Sequence, residues 1–151
     1  MASLDQITYP NMLASMGEGA LHDIFARASL IALVNWTMIP NMTAIFTELL
    51  TRIVPVLPPR DQRIWFFDLA DPEKRSQGDL VVALTTIARF QPHGSVTLGL
   101  NLKEASQVAE VLDPTVPEAG GADGEAGAVS VPDAVSPSAS RPATPRSITN
   151  A

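Results

Sequence analysis

The chain alternates three times between a short, largely apolar run and a stretch with the periodicity of an amphipathic helix. The apolar runs lie at 30–34, 64–67 and 96–100, and short runs of this kind are typical of strands buried in a sheet. Helical spacing of apolar residues follows at 42–54, 76–90 and 102–112. Repeated strand–helix units with short connections form parallel sheets with right-handed crossovers. The sequence therefore predicts an α/β fold in three layers, a parallel sheet with flanking helices.

The clearest helical pattern lies between the first two strands. Its apolar residues are Met42, Ile45, Phe46, Leu49, Leu50, Ile53 and Val54, and the prolines that follow end the helix. The second helix is predicted to bury Leu80, Leu84 and Ile87, with Val81 and Ala88 alongside, and the third to carry Ala105, Val108, Ala109 and Leu112. A weaker helix is predicted at 22–28, after a loop at Gly17-Glu18-Gly19.

Composition changes sharply after Leu112. Beyond it there is no Leu, Met, Phe, Tyr or Trp, while six of the 13 prolines and four of the nine glycines lie there. Such a segment cannot bury enough apolar surface to offset chain entropy. We therefore expect a partial α/β domain over residues 1–112 and a disordered tail over 113–151. The abruptness of the change also fits either a genuine extension or a shift of reading frame.

Charge and composition exclude several function classes. The chain has 16 acidic and 10 basic residues, a net charge of −6, and its cations are scattered, which argues against a nucleic-acid surface. With no cysteine, the chain can form neither a disulfide framework nor a thiolate site. No apolar run approaches the ~20 residues that span a bilayer, and the first residues do not resemble a signal peptide. We expect a cytoplasmic protein with no nucleic-acid or membrane partner.

Ligands of open parallel sheets bind at the carboxyl ends of the strands. The residues that follow the three strands are 35–37, 68–71 and 101–104. Asn35, Thr37 and Asp68 are candidates for lining a ligand cleft there, whereas Trp36 fits packing better. Asp68 and Asp71 could form a carboxylate pair for metal or acid/base chemistry, or serve as turn and cap residues before a proline.

The segment Asn101-Leu102-Lys103-Glu104 opens the third helix directly after its strand. Asn at a helix start with Glu three residues later predicts a capping box. The same segment matches the N-x-x-E motif of PfkB sugar kinases in position and spacing. Together with Asn-Trp-Thr-Met-Ile-Pro from Asn35 and Phe-Phe-Asp-Leu-Ala-Asp-Pro-Glu-Lys-Arg from Phe66, it makes residues 30–112 resemble the central part of a PfkB (ribokinase-like) carbohydrate kinase.

This resemblance implies a Rossmann-like, ribokinase-type fold and phosphoryl transfer from ATP to a sugar hydroxyl. It implies ATP and Mg²⁺ as cofactors, with Asn101 and Glu104 in cofactor binding and Glu104 acting on Mg²⁺ through water. Phosphoryl transfer depends on positioning and on neutralising phosphate charge, which accounts for such residues. The resemblance does not say which sugar is used.

The family's catalytic Gly-Ala-Gly-Asp motif does not occur in this sequence. Residues 120–124 read Gly-Gly-Ala-Asp-Gly, where the order is wrong and no helical pattern surrounds Asp123. We therefore assign no catalytic residue and expect the chain to be inactive alone. His22 and His93 have no partners at metal-ligand spacing and are expected at the surface.

A second hypothesis is a non-catalytic α/β module that binds a nucleotide, a small ligand or a protein partner through the same strand ends. A three-stranded parallel sheet has two open edges, so self-association through them is also expected. A flavodoxin-like or receiver-type domain fits less well. It would require an acidic cluster or a phosphate-binding loop after the first strand, and Asn-Trp-Thr offers neither.

Overall fold

The computed structural model describes residues 3–59 and 63–113, and the backbone of a strand at 127–130. The strands are β1 (Leu30–Leu33), β2 (Ile64–Asp68), β3 (Ser95–Leu100) and β4 (Gly127–Ser130). The α-helices are α1 (Tyr9–Met16), α2 (Glu18–Arg27), α3 (Met42–Glu48), α4 (Gln77–Ala88) and α5 (Leu102–Leu112). Helix α3 continues as a π-helical stretch, Leu49–Ile53, and a 3₁₀ turn, Val54–Val56; further 3₁₀ turns lie at Leu4–Gln6, Pro72–Lys74 and Gln91–His93.

The first three strands form a parallel sheet, which confirms the predicted α/β class. Leu30 pairs with Ile64, and Ile64 with Ser95, so the order β1-β2-β3 follows the chain. Strand β4 adds to the outer side of β3 in the antiparallel direction. The sequence analysis did not predict β4, which lies inside the segment expected to be disordered. The rest of that segment beyond residue 113 lies outside the described residues.

In residues 3–59 and 63–113, helices cover only one face of the sheet, which differs from the predicted three layers. Ile31, Trp65 and Val96 are buried on one face, whereas Leu30 and Ile64 on the other are 58% and 40% exposed. The physical reason is the strand order. When successive strands are added in one direction, right-handed crossovers place every connecting helix on the same side. Helices on both faces require the strand order to reverse, and in the described residues it does not.

Aromatic side chains form the centre of the covered side. The Phe67 ring on β2 meets Phe46 of α3 edge-on, with ring centroids 5.2 Å apart. Phe90, just after α4, lies 5.2 Å from Phe67 and 4.7 Å from Trp65. All four rings are fully buried. This cluster joins α3 and α4 to the middle strand and sets the position of the loops that follow the strands.

The helical predictions hold best for residues 42–54, which form α3, the π-helical stretch and the start of the 3₁₀ turn. All seven core residues predicted there are buried, the least so at 7% exposure. In α4, Leu80 and Ile87 are buried as predicted, while Val81 is 44% exposed. In α5, Val108 is buried, whereas Leu112 at the end of the helix is 66% exposed.

The N-terminal region is more helical than predicted. Helix α1 begins after Thr8, whose side chain accepts a hydrogen bond from the backbone N–H of Asn11. The predicted loop at 17–19 is wrong for two of its three residues, because α2 already begins at Glu18. Gly17 alone separates α1 from α2, with a φ of 77° that favours glycine. Among the described residues, no helix is both long and apolar enough to cross a membrane.

Candidate functional site

The loops after β1 and β2 are joined to each other at the carboxyl edge of the sheet. The Asn35 N–H donates to Oδ2 of Asp68 at 3.4 Å. Further along, the Thr37 N–H donates to the carbonyl of Leu69 at 2.9 Å. The structure thus brings Asn35, Thr37 and Asp68 to one edge, as the sequence predicted for a candidate cleft.

Backbone strain is concentrated at this edge. Asn35, Ala70 and Asp71 have φ values of 68°, 56° and 60°, and they are the non-glycine residues with positive φ in the described part of the chain. Such conformations cost on the order of 1 kcal/mol or more for a residue with a Cβ, and they cluster at functional sites in proteins. The two loops therefore depend on tertiary contacts for their shape.

Glu104 provides the main tertiary contact. It is 6% exposed, and its Oε2 accepts a hydrogen bond from the Asn101 N–H at 3.0 Å. The Asn101 side chain in turn accepts from the Glu104 N–H at 2.9 Å, so the predicted capping box is present. The second oxygen, Oε1, accepts from the Asp71 N–H at 3.0 Å. One carboxylate thus holds the start of α5 and the strained loop after β2 together.

The carboxylate of Glu104 keeps some capacity for a ligand. Each carboxylate oxygen has two acceptor positions, and each accepts one backbone N–H here. No group of three or more His, Asp or Glu side chains suited to direct metal binding occurs in the described residues. The two unused acceptor positions of Glu104 are suited to hydrogen bonds from water, including the water molecules of a hydrated cation.

Ion pairs surround this edge on its exposed side. Lys74 Nζ lies 2.8 Å from Asp71 Oδ2, and Lys103 Nζ lies 2.6 Å from Glu73 Oε2. The hydrogen bond from Lys74 lowers the pKa of Asp71, and the hydrogen bond from Lys103 lowers the pKa of Glu73. Both lysines have a raised pKa for the same reason. All four of these side chains are therefore ionised at neutral pH, and their two positive and two negative charges cancel.

Arg75 orders the loop after β1, a role that the sequence analysis missed. Its guanidinium donates to the carbonyls of Trp36 at 2.8 Å and Thr37 at 3.2 Å. It also donates to the carbonyls of Ile39 and Pro40 and lies over the Trp36 ring, 4.5 Å from its centroid. Segment 35–41 is irregular, so its backbone carbonyls need hydrogen-bond donors from elsewhere in the chain. Nothing in the sequence pointed to Arg75 as their source.

Trp36 is a packing residue, as expected. It is fully buried, and its Nε1 donates to the hydroxyl of Thr43 at 2.7 Å. The neighbouring Thr37 hydroxyl oxygen is also buried, and it has no hydrogen-bond partner among the residues that the structure describes. A buried hydroxyl of this kind requires a partner such as water or a ligand group. The Thr37 hydroxyl is therefore a buried polar group at this edge whose hydrogen bonding is unsatisfied within the described residues.

The two histidines lie away from this edge. His93 is exposed and precedes β3, so it stands at the amino end of the strands. His22 is half-buried in α2, with its Nε2 3.4 Å from the carbonyl oxygen of Val56. Neither contributes to the candidate site. Asp123 lies outside the described residues.

A cavity of about 210 Å³ lies beside this edge rather than at it. It is bordered by the 3₁₀ turn Pro72–Lys74, the start of α4 and the second half of α5, with Glu73, Gln107 and Glu110 among its lining residues. Small-molecule sites usually occupy about 300 Å³ or more. The cavity is thus too small to serve as the main substrate site.

No protein-family model, curated protein or solved structure matches this chain. The interpretation of the carboxyl edge therefore depends on its own geometry.

Proposed function

We propose that the carboxyl edge of β1–β3 is the Mg²⁺- and phosphate-binding part of an ATP-dependent carbohydrate kinase of the PfkB type, with a ribokinase-type fold. The observation that carries the proposal is the position of Glu104. A nearly buried carboxylate stands at the start of α5, beside the crevice where open α/β sheets bind ligands, and it also holds the loop after β2.

Each site residue has a definite part in this proposal. Glu104 would accept hydrogen bonds from Mg²⁺-bound water at its two remaining acceptor positions. Asn101 holds Glu104 in place through the capping box. Asn35, Thr37 and Asp68 would line the adjoining cleft, where a polar ligand group would give the buried Thr37 hydroxyl the partner that it lacks in the described residues. The Mg²⁺ ion would supply charge neutralisation for the phosphate oxygens.

Binding without turnover is the expected behaviour of this chain alone. A general base and an anion-stabilising group are the largest contributors to such reactions. In the family that this chain resembles, the Gly-Ala-Gly-Asp motif supplies both, and the sequence does not carry this motif.

Isothermal titration with a non-hydrolysable ATP analogue, with and without Mg²⁺, tests the proposal. We expect weak binding that requires Mg²⁺ and is reduced in Asn101→Ala, because alanine cannot accept the Glu104 N–H and so loosens the capping box that holds Glu104 in place. Glu110→Gln, on the exposed part of the same helix, is the matched control and should bind as the wild type does. Binding that is absent, or equal with and without Mg²⁺, contradicts the proposal. A coupled assay that detects sugar phosphorylation by the purified chain would contradict the expected inactivity.

One observation favours the alternative of a non-catalytic module. The capping box and the bond to Asp71 give Glu104 a complete architectural role. If Glu104→Gln destabilises the fold while the wild type binds no nucleotide, the module without a nucleotide site is the better description.

A further inference from the structure

Strand β1 is the uncovered edge of the described sheet. It pairs with β2 on one side, while the outer side of β3 is taken by β4. Among residues 3–59 and 63–113, no other strand lies beside β1. An uncovered strand presents a row of backbone groups that can pair with another chain.

The outward-pointing groups of β1 can be identified from its bonds to β2. The Ile64 N–H donates to the Ser29 carbonyl at 2.8 Å, so residue 29 faces β2. Because backbone groups alternate along a strand, the N–H and C=O of Leu30, Ala32 and Val34 point away from β2. In the described residues, none of these groups has a hydrogen-bond partner outside the sheet.

Within the described part of the chain, this edge carries none of the usual protective features. Natural edge strands are usually guarded by a lysine, a proline or a bulge. Residues 29–34 read Ser-Leu-Ile-Ala-Leu-Val and contain no charge and no proline. Leu30 and Val34 are 58% and 42% exposed. Two copies of a chain with a net charge of −6 repel each other. Because residues 29–34 are uncharged, pairing through this segment places no like charges opposite each other.

We propose that two copies of this chain pair through β1, in the antiparallel direction, about a twofold axis at Ala32. Leu30 of one copy then lies opposite Val34 of the other, and Ala32 lies opposite Ala32. All three outward-facing positions become hydrogen-bonded pairs in this register. Asn35, with its φ of 68°, ends the extended segment and limits the pairing to 30–34. The partner surface is therefore a second copy of the same strand.

The contact is short, so the dimer should be weak and dependent on concentration. Interfaces below about 1,200 Å² are typical of weak or transient association. Sedimentation velocity on the full 151-residue chain should show a sedimentation coefficient that rises with concentration. A chain that stays monomeric up to millimolar concentration overturns the proposal.

Charge substitutions at Ala32 distinguish this register from others. Ala32→Lys and Ala32→Glu should each abolish the dimer, because like charges then face each other across the axis. Mixing the two variants should restore it as a heterodimer. Ala32 is exposed, so circular dichroism melts should show both variants folded. If the mixture stays monomeric, the proposed register is wrong.

Ser95→Lys is the matched control. Ser95 is exposed on β3, in register with Ile64 and Leu30, and so lies on the same uncovered face but away from the β1 edge. Edge pairing predicts that this variant dimerises as the wild type does. Loss of the dimer in Ser95→Lys would mean that the sheets stack face to face, which would refute pairing through β1. Neither result depends on nucleotide binding.

Discussion

Glu104→Gln offers the sharpest test of how the carboxyl edge is held together. Glutamine has nearly the same size but only one acceptor oxygen, so it can satisfy either the Asn101 N–H or the Asp71 N–H and presents an NH₂ group to the other. A hydrogen bond to a charged acceptor contributes about 1.5–3 kcal/mol. We therefore expect the free energy of unfolding to fall by about 2 kcal/mol.

Thermal and urea unfolding followed by circular dichroism measure this effect. For a folded unit of about 100 residues, a loss of this size lowers Tm by about 10 °C. Asn101→Ala removes only the cap and should cost about 1 kcal/mol. Glu110→Gln, exposed on the same helix, should change stability by less than about 0.5 kcal/mol. If Glu104→Gln is as stable as Glu110→Gln, the carboxylate does not hold the start of α5 and the loop after β2 together.

Three further outcomes follow from the contacts. Gly94→Ala, at a φ of 151°, places a Cβ against the backbone oxygen of Arg63 and should lower the free energy of unfolding in urea by about 2 kcal/mol or more. Arg75→Ala removes the donors to the loop after β1 and should cost about 2–4 kcal/mol, seen as an earlier unfolding transition in tryptophan fluorescence. Because Lys103 lowers the pKa of Glu73, this pair stabilises the fold above about pH 4.3 and loses that effect as pH falls further. Glu73→Gln should therefore show a shallower loss of stability in acid melts, and an unchanged acid profile would contradict the ion pair.

Elements with a strong local pattern could be predicted from the sequence. The seven apolar residues predicted at helical spacing over 42–54 are all buried. Each of the three parallel strands lies within two residues of its predicted bounds. Asn101 and Glu104 form the predicted capping box because a cap involves only residues three apart in sequence. In these cases, interactions between residues close in sequence were sufficient to predict the structure.

Features that depend on distant partners could not be predicted. An apolar strand such as 30–34 does not reveal whether helices will cover one or both of its faces. The number of layers therefore could not be determined from the residues of the strand alone. The contact of Glu104 with Asp71 and the contacts of Arg75 with residues 36–40 join segments more than 30 residues apart. Helix α1 was missed because it is only eight residues long and Pro10 stands in its first turn.

The strand order has a consequence for how the protein folds. Paired residues are 34 positions apart between Leu30 and Ile64, and 31 apart between Ile64 and Ser95. Since the order β1-β2-β3 follows the chain, no strand has to enter between two that are already paired. The sheet can grow on a ribosome by adding each completed strand–helix unit to the last one, without waiting for the C-terminal residues.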